Sequence, residues 1–249
     1  MFSAIFDAIA TWYANLSSAH FLNFHFLPKY AVYFVQGVEY TILLAVVSVL
    51  LAIVPALILA LMRLSKNRFI KGVSGAYIAL FRSTPLLVQL SIIYYGLFYI
   101  IRIPSVKVLG FVNISSFIPG VVALALNSSA YVAEIFRAGI LAVDGGQMEA
   151  ARSLGLSKWQ SMKLVVLPQA VKNILPTLAN ELVTMVKESS ICSALGMQEL
   201  MWGAKTVASS TFISIGPYIL AAVIYFCINF PASKAIEAVE RRMRRGDQR

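Results

Sequence analysis

The sequence predicts an all-α integral membrane protein of about five transmembrane helices, on three observations. Of the 249 residues, 59% are hydrophobic and only 13% charged, against about 45–50% and about 25% in a soluble domain. Mean hydropathy is +0.77. The apolar residues also gather into runs of roughly twenty, the length of a helix that crosses a bilayer. A soluble enzyme, a disordered chain and a fibrous protein are excluded by the same figures.

Taken in order, the first span is residues 41–61, uncharged and interrupted only by Pro55. Arg63, Lys66, Arg68 and Lys71 follow it. A second apolar stretch, 73–101, contains the insertion Arg82-Ser83-Thr84-Pro85. The third, 117–143, holds Asn127, Tyr131, Glu134 and Arg137. A polar stretch at 144–173 precedes a weakly hydrophobic fourth span, 174–200. The fifth, 212–230, is cleanly apolar, and a tail with five arginines follows.

Five spans place the termini on opposite sides. With the N-terminus outside, fourteen basic residues fall in cytoplasmic segments, four in outer ones and three within spans. Positive residues stay inside, which predicts an outer N-terminus and a cytoplasmic C-terminus. The net charge of +10 is thus an encoding of topology rather than a nucleic-acid surface. The expected organisation is an extracytoplasmic segment at 1–29, a membrane domain at 30–240 and a basic tail at 241–249. Residues 1–16 lack a basic residue and include Asp7, unlike a cleaved leader. Cys192 and Cys227 lack metal-ligand spacing, and His20 and His25 have no acidic partner nearby.

The intramembrane polar residues are the candidate site. At about 100° per residue, Asn180, Glu181, Thr184, Lys187 and Glu188 share an arc of roughly 120° on the fourth span. Asn127, Tyr131 and Glu134 share a face of the third, where Glu134 and Arg137 are spaced to pair at i,i+3. Each charge would cost about 2.5–3.5 kcal/mol at mid-bilayer, so such groups mark a site by default. The alternative is an ion-pair network that joins helices.

The stretch 144–173 reads as a short helix, a glycine break at Gly155, and a second short helix capped by Ser157 and Gln160 and ended by Pro168. Glu149-Ala150-Ala151, Gly155 and Leu167-Pro168 resemble the EAA loop of ABC-importer permeases, E-A-A-x3-G-x9-I-x-L-P, with Val165 at the isoleucine position. The resemblance implies a loop docked on an ATP-binding subunit, with Glu149, Ala150, Ala151 and Gly155 in contact. Residues 79–89, ALFRSTPLLVQ, are similar to the F-R-G-T-P-L-L-V-Q segment of the polar amino-acid (histidine/glutamine-type) permeases, with Ser83 for the glycine. Residues 127–139 and 187–190 also resemble that family.

The resemblance implies the type I ABC importer transmembrane fold in a bacterial cell membrane and transport of a polar amino acid. The zwitterion it implies needs a cation for its carboxylate, Arg82 or Lys187, and an acceptor for its ammonium, Glu134 or Glu181, with Asn127, Tyr131 and Ser189 as neutral partners. Its implied partners are an ATPase dimer, a second permease subunit (same or homologous) and an extracytoplasmic binding protein. No G-x-x-x-x-G-K-[ST] occurs, so the chain has no phosphate cradle of its own. Mg-ATP is expected on the partner, with no cofactor or metal here and no catalytic residue. An ion-gradient transporter is the alternative, and would use intramembrane charges likewise; five spans without an internal repeat, and a docking loop, speak against it.

Overall fold

The computed structural model describes residues 23–101 and 103–245. The expected segment at 1–29 falls largely outside the described residues, as does Arg249. The described chain is almost wholly helical, apart from a two-residue antiparallel ladder of β1 (Lys107–Val108) and β2 (Val112–Asn113).

α1 runs Leu27–Leu64, 38 residues, about 57 Å at 1.5 Å per residue. That exceeds a hydrocarbon core of about 30 Å, so its first turns project beyond the apolar run. One face buries Ala45, Ser48, Ala52, Ala56 and Ala60. Small side chains let backbones approach closely in a membrane, and this face lies against α4 (Ile114–Leu141) with its Gly120, Ala123, Ala130 and Ala133. The opposite face exposes Leu50, Val54, Leu57 and Leu61, as a lipid-facing helix does.

The second expected span is two helices, α2 (Arg68–Ser83) and α3 (Leu86–Ile100), bent by 106°. Thr84 is extended, as a residue before proline must be, and Pro85 begins α3. The bend falls on the insertion noted in the sequence.

After α4 come α5 (Gly145–Ser153), α6 (Lys158–Ser161) and a five-residue π segment (Met162–Val166) that leads directly into α7 (Leu167–Glu188). Pro168 therefore lies where the π segment passes into α7 rather than ending α6. The helical fourth span ends twelve residues early. A 3₁₀ segment, Ser189–Leu195, closes on Gly196 at φ +77°, a left-handed turn that glycine adopts freely. α8 (Leu200–Thr211) follows, a helix the apolar pattern does not announce, and α9 (Gly216–Arg245) completes the chain. α8 is seated on the projecting end of α1 by two glycines. A Cβ at Gly37 would meet the Leu200 Cα at 2.8 Å, and one at Gly203 would meet the Tyr33 carbonyl oxygen at 2.9 Å.

α1, α4 and α9 are each long and apolar enough to cross a membrane, and the bent pair α2–α3 can make a fourth crossing. α7 has the length, 22 residues, but contains Lys172, Glu181, Lys187 and Glu188, which suits it to a cavity rather than to lipid. Each of the four long helices α1, α4, α7 and α9 contains one interior proline: Pro55, Pro119, Pro176 and Pro231.

Candidate functional site

α2, α4 and α7 line an open cavity of about 410 Å³, with Arg82, Tyr131, Glu134 and Glu181 in its wall. Four of the seven residues expected to touch substrate are thus brought together. Asn173 and Thr177 of α7 complete its polar lining.

Arg82 is positioned by the break. It sits in the last turn of α2, where a cation complements the helix dipole, and its guanidinium lies 5.5 Å from the centre of the Tyr131 ring. Gln89 fastens the bend: its Nε2 donates to the carbonyl oxygens of Phe81 and Thr84 and to Thr84 Oγ1 at 2.7–2.9 Å. Carbonyls at a helix end have no intrahelical donor, and a side-chain amide two turns away supplies one.

The two carboxylates differ. Glu134 is held by Arg137 at 2.8 Å and faces Arg63 at 3.6 Å. Gly75 makes room for this contact, since a Cβ there would lie 3.1 Å from Arg63 Nη1. Glu134 is thus neutralised by two arginines, one at the sequence-expected spacing and one from the end of α1. Glu181 accepts a 2.9 Å hydrogen bond from Ser128, and among the described residues no salt bridge reaches it or Arg82. The cavity therefore presents one cation and one carboxylate without a fixed ionic partner, on opposite helices.

The other three candidates lie elsewhere. Asn127 is buried and donates to Gln89 Oε1 at 2.7 Å. Ser189 is buried and donates to the Val186 carbonyl. Lys187 is exposed, on a stripe of α7 that includes Asn173, Thr177, Asn180 and Thr184. Val183, Met185 and Val186 bury the reverse side. The expected polar arc of this helix is thus present but divided: Glu181 lines the cavity, with Asn173 and Thr177 below it, whereas Asn180 and Lys187 are exposed outside it.

The docking candidates form a protruding hairpin. Gly155 has φ +87°, its N–H donates to the Arg152 carbonyl, and the Leu156 N–H donates to that of Ala151. This is a Schellman ending, which glycine favours at C′. Ser157 and Gln160 make the expected capping box. Glu149, Ala150 and Gly155 are exposed, whereas Ala151 is 5% exposed and turned inward. A contact role for Ala151 does not fit that burial; its methyl lies on the inner side of the hairpin, where the helix packs against the Met162–Val166 segment. Leu154 and Trp159, 85% and 73% exposed, stand out beside the turn instead. The motif passes over both, because their types alone read as core.

Sequence reasoning also missed Gln89, Arg63 and Ser128. Gln89 lies within the ALFRSTPLLVQ segment, so only its role was hidden. Arg63 and Ser128 act across helices, at separations no local pattern carries.

Residues 48–245 match the family described as the binding-protein-dependent transport system inner membrane component. The putative glutamine transport system permease GlnP of Rickettsia felis is 42% identical over 218 residues, covering 88% of this chain and 95% of that protein. The arginine transport system permease ArtQ of Bacillus subtilis is 39% identical over 215 residues, 86% of this chain and 94% of its own. Among solved structures, an amino acid ABC transporter with histidines shares 45% identity at a TM-score of 0.79, over 88% of this chain and 98% of its own. An inward-facing MetNI methionine ABC transporter has the same fold at 19% identity, with a TM-score of 0.69 over 85% and 96% of the two chains. The chain is a member of the family of multi-pass inner membrane components of binding-protein-dependent transport systems.

Proposed function

We propose that this chain is the membrane subunit of an ATP-driven importer of a polar amino acid, and that substrate is held between Arg82 and Glu181. The observation that carries the reading is the cavity with one unpaired cation and one unpaired carboxylate inside a membrane bundle. An amino-acid zwitterion complements it, the α-carboxylate on Arg82 and the α-ammonium on Glu181. Tyr131, Asn173 and Thr177 offer neutral hydrogen bonds. Charges at such a depth persist only when paired or hydrated, and the substrate itself completes the pairing.

The names of the relatives agree in substrate class. Glu134 serves in this reading as a scaffold rather than a ligand. The outer part of the polar stripe of α7, about 10 Å from Asn180 to Lys187 at 1.5 Å per residue, is covered by a second permease subunit, whether identical or homologous. Leu154 and Trp159, with Glu149 and Ala150, engage a cytoplasmic ATPase that binds Mg-ATP and hydrolyses it. A binding protein delivers the amino acid at the outer end, where α8 and the projecting turns of α1 lie. The chain contributes path and lever, and the chemistry occurs in its partner.

The test is binding of a panel of radiolabelled amino acids to the purified complex. Wild type should bind one or a few polar amino acids. Arg82→Gln and Glu181→Gln should each weaken that binding at least tenfold while the complex still assembles. Unchanged affinity in both variants would remove the assignment.

A further inference from the structure

A cluster of cations at the start of α2 is left without ionic partners. Lys66 lies in the short linker after α1, and Arg68 and Lys71 lie in the first turn of α2; all three are exposed. Among the described residues no salt bridge reaches any of them. Arg63, the fourth cation of this stretch, is taken by Glu134. The helix end itself is satisfied, because Asn67 Oδ1 accepts from the N–H groups of Phe69 and Ile70.

Apolar surface adjoins these charges. Phe69, Val73, Ala76 and Leu80 recur at i, i+4, i+7 and i+11, one stripe of a helix, and all are exposed, Phe69 at 79%. Ser74 and Ile78, on the far side, are buried, and Ser74 Oγ donates to the Leu59 carbonyl at 2.8 Å. The stripe is thus held outward by contacts made behind it.

Height places both features at the bilayer surface. The uncharged run of α1, residues 41–61, is about 30 Å long at 1.5 Å per residue, the thickness of a hydrocarbon core. Lys66 comes five residues past its edge, at the level of the lipid phosphates. α2 is bent by 106° from α3, so the two do not form one straight rod through the membrane. A helix with an apolar stripe and basic residues at this depth lies along the interface, and a juxtamembrane basic cluster attracts anionic lipid.

We propose that Lys66, Arg68 and Lys71 bind the headgroup of an anionic phospholipid of the phosphatidylglycerol type, in the leaflet beside the coupling hairpin, with its acyl chains along Phe69, Val73 and Leu80. α2 carries Arg82 at its other end, so this lipid anchors the helix that presents the cavity's cation. The site goes beyond the transport reading and needs only that α1 crosses the membrane.

The test captures the lipid in place. The complete transporter, with photoreactive benzoylphenylalanine at Phe69, is reconstituted in vesicles of phosphatidylcholine with a minority of phosphatidylglycerol. Mass spectrometry identifies what is attached after illumination. Phosphatidylglycerol should be captured at least twofold above its share of the vesicle. The same probe at Leu50, exposed in the middle of α1, should capture lipid in proportion to the mixture. Combining Lys66→Gln, Arg68→Gln and Lys71→Gln should bring capture at Phe69 down to that proportion. So should about 1 M salt, where the screening length is about 3 Å, with no cation substituted. Capture at Phe69 in proportion to the mixture overturns the proposal, as does enrichment that survives the triple variant or the salt. Attachment of the Phe69 probe to protein instead of lipid also overturns it, and would make the stripe a subunit contact.

Discussion

The side-chain amides of Gln89 and Asn127 form a 2.7 Å hydrogen bond that ties the break between α2 and α3 to the middle of α4. Both residues are almost fully buried, at 7% and 3% exposure. Gln89 spends its donors on the end of α2 and its acceptor on Asn127. The bend that positions Arg82 is therefore fixed from two sides.

Gln89→Leu should destabilise the subunit by about 1–3 kcal/mol, the cost of leaving buried polar partners unsatisfied. Asn127→Leu should act similarly. The double variant should lose less than the sum of the two, because each single change strands the other amide. Thermal unfolding of the purified complex measures all three. Additive losses would mean that the two amides do not depend on each other.

Glu134→Gln should reduce assembly, since it leaves Arg63 and Arg137 facing each other without an anion. Glu134→Gln with Arg137→Gln should recover much of the loss. The yield of assembled complex, by size-exclusion chromatography, is the readout. Normal assembly of the single variant with lost amino-acid binding would instead return Glu134 to the substrate.

Gly155→Ala should strain the hairpin rather than crowd it, because no atom lies within 4 Å of the position a Cβ would take. A non-glycine residue held left-handed costs about 1–2 kcal/mol. The turn that presents Leu154 and Trp159 should shift, so uptake should fall several-fold relative to ATP hydrolysis. Uptake and ATPase assays on the same proteoliposomes give the ratio, and an unchanged ratio would deny the hairpin its coupling part.

Reporter fusions after Ser105, Gly146, Ser214 and Arg249 should read outside, inside, outside and inside. Ser214 is chosen because it is exposed and lies between α8 and α9, where an insertion breaks neither helix. An external Gly146 reporter would invert the topology.

Most of the spans could be read from apolar runs, because lipid demands unbroken hydrophobic length. α8 could not. Its twelve residues, LMWGAKTVASST, are too short for a span, and it is held by Gly37 and Gly203, whose meaning depends on residues far away in the chain. The site was half legible. Asn127, Tyr131 and Glu134 do lie on one face of α4, as their spacing requires. Over the roughly 10 Å they cover, that face passes the α2–α3 break, then the cavity, then Arg63. Shared direction is a property of one helix, whereas shared function needs the same neighbour. Glu181 and Arg82 came together for a reason sequence cannot express, a 106° bend that turns one helix end toward another.

The four interior prolines set how this bundle can move. Each removes one backbone hydrogen bond, to the carbonyl of the residue four places earlier: Leu51, Ser115, Lys172 and Cys227. A rod with one missing rung flexes there before it flexes anywhere else, and kinks in long helices concentrate at such places. A rocking motion of the subunit is thereby divided into small bends on four separate rods, and none of them has to unwind.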